Sequence, residues 1–185
     1  MKDLSGGLFV WYDSEMNEPI EMRYLCETLD NKRILYDPVH SHTATHFNDA
    51  PGLKDLVVQL LSHRYIDGGP LGFDVDMGNP VGNKDVVDVN QGDEIVYAKR
   101  KNRAEYVSFI KNRQPQPCSY VSISLKQLDP TSYELQSTWI GEFESPPFPG
   151  DKSATRESIP FWNRHAFVWG TQGIQEDTIT NQCPW

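Results

Sequence analysis

The run Tyr120-Val-Ser-Ile-Ser-Leu-Lys126, the loop Gln127-Leu-Asp-Pro-Thr-Ser132 and the run Tyr133-Glu-Leu-Gln-Ser-Thr-Trp-Ile140 give the clearest structural signal in this chain. Successive side chains of a strand point to opposite faces, so residues two apart share a face. Val121, Ile123 and Leu125 then line one face, and Ser122, Ser124 and Lys126 the other. Beyond the Asp129-Pro130 turn the alternation resumes, with Glu134, Gln136 and Thr138 expected on the polar side. The two runs read as a long antiparallel hairpin, apolar on one side and polar on the other. A sheet with one solvated face fits this pattern, and so does a platform on which a substrate lies.

Further strands are expected on either side of a helix. Leu8–Tyr12, Ile34–Tyr36, Leu71–Met77, Val86-Val87 and Asp93–Ala98 carry strand signals, whereas residues 20–29 fit a short helix or a strand equally. Leu53, Leu56, Val57, Leu60, Leu61 and Tyr65 recur at helical spacing and predict a helix over about 51–65. Asn48 or Asp49 can cap it, Pro51 suits its first turn, and Asp67-Gly-Gly-Pro70 ends it. Residues 101–111 read as a basic helix with Tyr106, Val107, Phe109 and Ile110 inward, followed by a stiff Gln114–Pro117 linker. After Ser145-Pro-Pro-Phe-Pro-Gly150 a helix is expected over 153–166. Phe161, Trp162, Phe167 and Trp169 there form an aromatic clamp that packs on the sheet. The fold class expected is α+β: one domain over residues 1–185, with a core at 34–141 and a C-terminal extension at 142–185.

A length of 185 residues suffices to bury a core without staples, and 11% aromatic residues argue against wholesale disorder. Cys26, Cys118 and Cys183 are odd in number and widely spaced, with no Cys-x-x-Cys pair, so idle thiols in a reducing compartment are expected. The start of the chain lacks the apolar run of a signal peptide, and no stretch approaches about 18 consecutive apolar residues. A cytoplasmic protein without membrane contact is the expectation.

The net charge of -9 is unevenly spread. Residues 99–113 hold six of the 17 basic residues (Lys99, Arg100, Lys101, Arg103, Lys111 and Arg113) and one acidic residue, a net +5. The rest holds 11 basic against 25 acidic residues, a net -14. A basic island on an acidic chain is either a solvated face or an anion-binding patch, with RNA as the expected partner. The aromatic tail offers a second surface, for a protein partner.

His40, His42 and His46 fall within seven residues. Imidazole exchanges protons near neutral pH and also ligates metals. A His40-x-His42 pair on a strand would share one face, and His46 lies one turn further on if the chain becomes helical. Asp37, Asp49 and His165 are the further residues that could join a metal site, though none has diagnostic spacing. No His-Glu-x-x-His, Walker A, Gly-x-Ser-x-Gly or Gly-x-Gly-x-x-Gly motif occurs.

A histidine-bearing segment, a helix, a short sheet, a basic stretch and a polar-faced hairpin ending in Gln136-Ser-Thr-Trp-Ile-Gly141 follow one another over residues 34–141. In layout this resembles the small metal-independent ribonucleases of the barnase, EndoU, colicin and RelE type. The resemblance implies His42 or His46 as acid–base residue, Lys99 or Arg100 on the developing phosphorane, and Ser124 and Thr138 as hydroxyl groups on the late strands. It implies no cofactor. The acidic net charge and the long aromatic tail depart from that pattern.

Three functions therefore compete. One is a ribonuclease or related phosphodiesterase in which RNA supplies its own 2′-hydroxyl nucleophile, with His40, His42, His46, Ser124 and Thr138 catalytic and the six cations holding substrate. Another is a non-enzymatic acidic binding or inhibitory domain, such as a phage or defence accessory. The third is a metalloenzyme using His40, His42 and His46.

Overall fold

A computed structural model describes residues 3–4, 8–12, 19–39, 41–50, 52–142 and 155–185. In chain order these begin with β1 (Asp3–Leu4), β2 (Leu8–Tyr12), β3 (Pro19–Glu27), β4 (Arg33–Tyr36), α1 (His42–Asp49), α2 (Leu53–Ser62) and β5 (Leu71–Asp76). Next come β6 (Gly82–Lys84), β7 (Val86–Asp88), β8 (Ile95–Lys99), β9 (Tyr106–Ile110) and β10 (Gln116–Cys118). Then follow β11 (Tyr120–Asp129), β12 (Ser132–Ile140), α3 (Thr155–Arg164), β13 (His165–Val168) and a 3-10 turn at Glu176–Thr178. The fold is α+β and mostly strands. Two compact units share the chain: Met1–Gly78 with Tyr120–Phe143, and Asn79–Ser119 with Glu144–Trp185.

The first unit is a sheet of order β1-β2-β3-β4-β12-β11-β5. Its strands pair antiparallel except β4 and β12, which run parallel. The hairpin read from sequence is β11–β12. Val121, Ile123, Leu125, Tyr133 and Leu135 are buried on one face together with Ile34 and Tyr36 of β4. Leu53, Val57 and Leu61, at a spacing of four, are the buried residues of α2. Thr43 of α1 is fully buried, and its hydroxyl donates to the Leu135 carbonyl at 2.9 Å.

The hairpin departs from simple alternation at two places: Leu128 is extra beside the turn, where Gln127 pairs with Tyr133 and Asp129 with Ser132, and a second irregularity lies further along the ladder. Ser124 pairs with Ser137 but Leu125 pairs with Leu135, so Gln136 is an extra residue in a β-bulge. A bulge reverses the facing of everything beyond it. Thr138 is therefore opposite Ile123 on the apolar face, not beside Glu134 as the alternation predicts.

The second unit contains a four-stranded sheet of order β7-β13-β9-β8 and a ribbon of β6 with β10. β13 runs parallel to β9 and antiparallel to β7. Val96, Ala98, Val107, Phe109 and Phe167 form a core with Phe161 and Trp162 of α3. Val87, Ile110, Ala166 and Val168 form a second cluster. The aromatic residues of the C-terminal segment are thus packed as expected, and β13 goes further by becoming an interior strand of this sheet.

Several local expectations are corrected. The basic segment is not a helix: residues 99–113 form the end of β8, a turn with Asn102 at φ 62°, and β9. Residues 107–110 are all buried, and a short run apolar on both faces carries no period that separates strand from helix. The Gln114–Pro117 linker is partly β10, where exposed Pro117 lies on a two-stranded ribbon that tolerates a missing N–H. Residues 20–29 resolve as β3. The helix expected at 51–65 runs from Leu53 to Ser62, and Asp49 ends a separate helix instead of capping this one. Gly52, at φ 92°, makes the corner between the two, a conformation open to glycine at no steric cost. No helix among the described residues is long and apolar enough to cross a membrane.

Candidate nucleic-acid interface

The six cations of residues 99–113 are not one cluster. Lys99, Arg100, Lys101 and Arg103 gather at the turn between β8 and β9, whereas Lys111 and Arg113 follow the far end of β9. Five strand residues separate the groups by about 17 Å. Arg113 is committed at its end: its Nη1 donates to the Asp88 carbonyl at 2.9 Å and lies 3.3 Å from Asp93 Oδ2. Lys111 is exposed, with Nζ 5.0 Å from the centroid of Trp169.

The turn is more open. Lys101 and Arg103 are exposed, and Lys99 and Arg100 are half-buried. Lys99 Nζ lies 5.3 Å from the Tyr106 ring, and the Arg100 guanidinium 5.0 Å from the Phe167 ring. Burial and the neighbouring Arg103 both pull the Arg100 pKa down, while Asp85 pushes it up. Asp85 makes no ion pair with Arg100 and instead accepts from Gln172 Nε2 at 2.5 Å. Among the described residues none of the Arg100 guanidinium N–H groups has a hydrogen-bond partner. Such a fork, on an aromatic face with its donors unspent, is suited to two oxygens of one phosphate.

The backbone of the turn is held by the segment after β13. Gln175 N donates to the Lys99 carbonyl at 2.9 Å, and Gln175 Nε2 donates to the carbonyls of Arg100 at 2.9 Å and Arg103 at 2.7 Å. Lys101 N donates to the Gly173 carbonyl at 2.7 Å, and Lys99 N to Thr178 Oγ1 at 2.9 Å. Sequence reasoning missed Gly173, Gln175 and Thr178. They lie about 70 residues from the turn, and an isolated glutamine carries no local signal.

The other candidate residues belong to the first unit. His40 lies outside the described residues. His42 opens α1, with Ser41 as its N-cap: Ser41 Oγ accepts from Ala44 N at 3.1 Å. The pairing of His40 with His42 lies outside the described residues; from His42 the chain is helical, and His46 follows one turn later, half-buried, with its carbonyl accepting from Ala50 N. Ser124 is half-buried beside Ser137. Thr138 is fully buried and donates to the Ser122 carbonyl at 2.7 Å, so the bulge puts the two hydroxyls named from sequence on opposite faces.

Of the further ligand candidates, Asp37 is buried and accepts from Val39 N at 2.7 Å, and Asp49 is exposed at the end of α1. His165 stacks on Phe161 at 4.2 Å, with Nε2 3.3 Å from Asp88 Oδ1. Among the described residues no three His, Cys, Asp or Glu side chains gather as a metal site.

No family model and no curated protein matches the chain. It is similar to a solved crystal structure, that of a conserved hypothetical protein from Toxoplasma gondii ME49. The two share 11% identity over 71% of this chain and 92% of that one, with a TM-score of 0.47.

Proposed function

We propose that this chain binds RNA through the basic turn between β8 and β9. The observation that carries the reading is the half-buried Arg100 fork, which faces no carboxylate at ion-pair distance among the described residues and sits among Lys99, Lys101 and Arg103. On a chain of net charge -9, a turn that carries Lys99, Arg100, Lys101 and Arg103 together is a local positive field that attracts a polyanion. Affinity for single-stranded RNA should fall as salt rises, because each neutralised phosphate releases counterions. Fluorescence anisotropy against oligouridylate over a salt series tests this. Binding at low salt is expected, with a log–log slope that becomes shallower by roughly 0.7 for each turn cation replaced by alanine. No binding at low salt, or an unchanged slope after all four are replaced, would refute it.

Cleavage of RNA is a second reading, supported by two histidine positions one helical turn apart on α1 and by the sequence's resemblance in layout to small metal-independent ribonucleases. RNA carries its own nucleophile, so a base, an acid and cations suffice. Incubation with total tRNA in excess EDTA, beside a His42→Ala/His46→Ala protein, decides this. Discrete cleavage lost in the double variant supports catalysis, and intact RNA with retained binding leaves an RNA-binding protein without this activity.

A further inference from the structure

The turn between β8 and β9 is held in place before any ligand arrives. Three of its carbonyls, those of Lys99, Arg100 and Arg103, accept from the single residue Gln175. Glutamine suits this role chemically. Its side-chain amide offers two N–H donors and no charge, so it can tie two carbonyls together without repelling the cations or neutralising them. A glutamate would donate nothing and would place a counter-charge in the site.

Gln172 contributes from the same segment by donating to Asp85, the carboxylate whose field reaches Arg100. The guanidinium is in turn rested on Phe167. Side chain and backbone are thus both ordered in advance, which reduces the entropy lost when a ligand binds.

We infer that the β8–β9 turn is a phosphate site in which the Arg100 fork takes two oxygens of one phosphate group, and that Gln175 is its positioning residue. The inference rests on the RNA reading for the identity of the natural ligand. The phosphate site itself can be tested without RNA.

The probe is inorganic pyrophosphate, added to the full chain while the Arg100 Nε–H signal is followed by NMR. A saturable shift is expected in the unsubstituted protein. Gln175→Met keeps the bulk and loses both side-chain donors, so it should weaken binding about fivefold while the chain still shows a cooperative melting transition. Gln175→Asn keeps the amide but cannot span both carbonyls, and it should show the same weakening. Arg100→Lys keeps the charge and loses the fork, and should abolish saturable pyrophosphate binding, read in this variant by the backbone amide signals of Lys101 and Arg103.

If both Gln175 variants titrate like the unsubstituted protein, the positioning role is wrong. If the Arg100 signal does not saturate, the phosphate site is wrong, even should RNA bind elsewhere. A saturable Arg100 signal in a protein that ignores RNA would overturn the RNA reading alone.

Discussion

Glu134 stands opposite Lys126 across the β11–β12 ladder, and its titration gives a signed prediction. Burial raises its pKa above the usual glutamate range; Lys126 opposes that rise and Asp37 adds to it. A raised folded pKa means that the folded chain holds the proton more tightly than the unfolded one. The contribution of Glu134 to stability is then full below its unfolded value and is lost as pH rises through the folded value. Glu134→Gln should raise the melting temperature at neutral pH and flatten its decline above the carboxylate range; a drop in melting temperature would show that the Lys126 pairing dominates. Asp30 titrates the other way. Burial raises its pKa, but hydrogen bonds from Thr28 and Ile66 N, with the Lys32 charge, pull it below the usual range, so its contribution is lost on acidification. The thiols differ as well. Burial pushes the Cys26 thiol up to about 11, and Cys183 is exposed. Iodoacetamide should label Cys183 alone in the native protein and all three cysteines in denaturant, as read by mass spectrometry.

The β11–β12 hairpin and the β8–β9 hairpin fail differently when their cores are cut. Phe109 is fully buried between Phe167 and Trp169, and Phe109→Ala should cost about 3–5 kcal/mol in chemical denaturation. Thr138→Val loses the bond to the Ser122 carbonyl while keeping its shape and should cost about 1 kcal/mol. Cleavage activity that survived this substitution would remove Thr138 from any catalytic role. The hairpin was legible because Val121, Ile123 and Leu125 alternate with small polar residues over more than one pleat. Its bulge was not, since Gln136 is ordinary in composition and is extra only in relation to the partner strand. The sequence of β9 fits a helix as well as a strand, because Val107, Ser108, Phe109 and Ile110 are buried on both faces and show no period. The cations of the candidate site could be named from charge alone. Which four of the six stay together depends on where the chain turns, and what braces them comes from the far end of the chain.

The two units are interleaved in the chain, because residues 79–119 lie between β5 and β11 and the second unit is finished only by residues beyond 143. A chain lacking residues 155–185 should keep the β11–β12 ladder but lose hydrogen-exchange protection in β8 and β9, whose neighbours β13, α3 and the Gln175 brace are gone. Equal protection in both ladders would show that the 79–119 segment folds without its C-terminal partner. The interior place of β13 also has a biosynthetic consequence. β9 leaves the ribosome about 58 residues before the end of β13. At roughly 5–20 residues per second that is on the order of 3–12 s. Throughout that interval the nascent chain carries Val107, Phe109 and Ile110 on a strand that lacks its permanent neighbour. The newborn protein is therefore expected to be a chaperone client during translation, and synonymous codon changes that slow decoding between positions 111 and 165 should lower its soluble yield without altering a single residue.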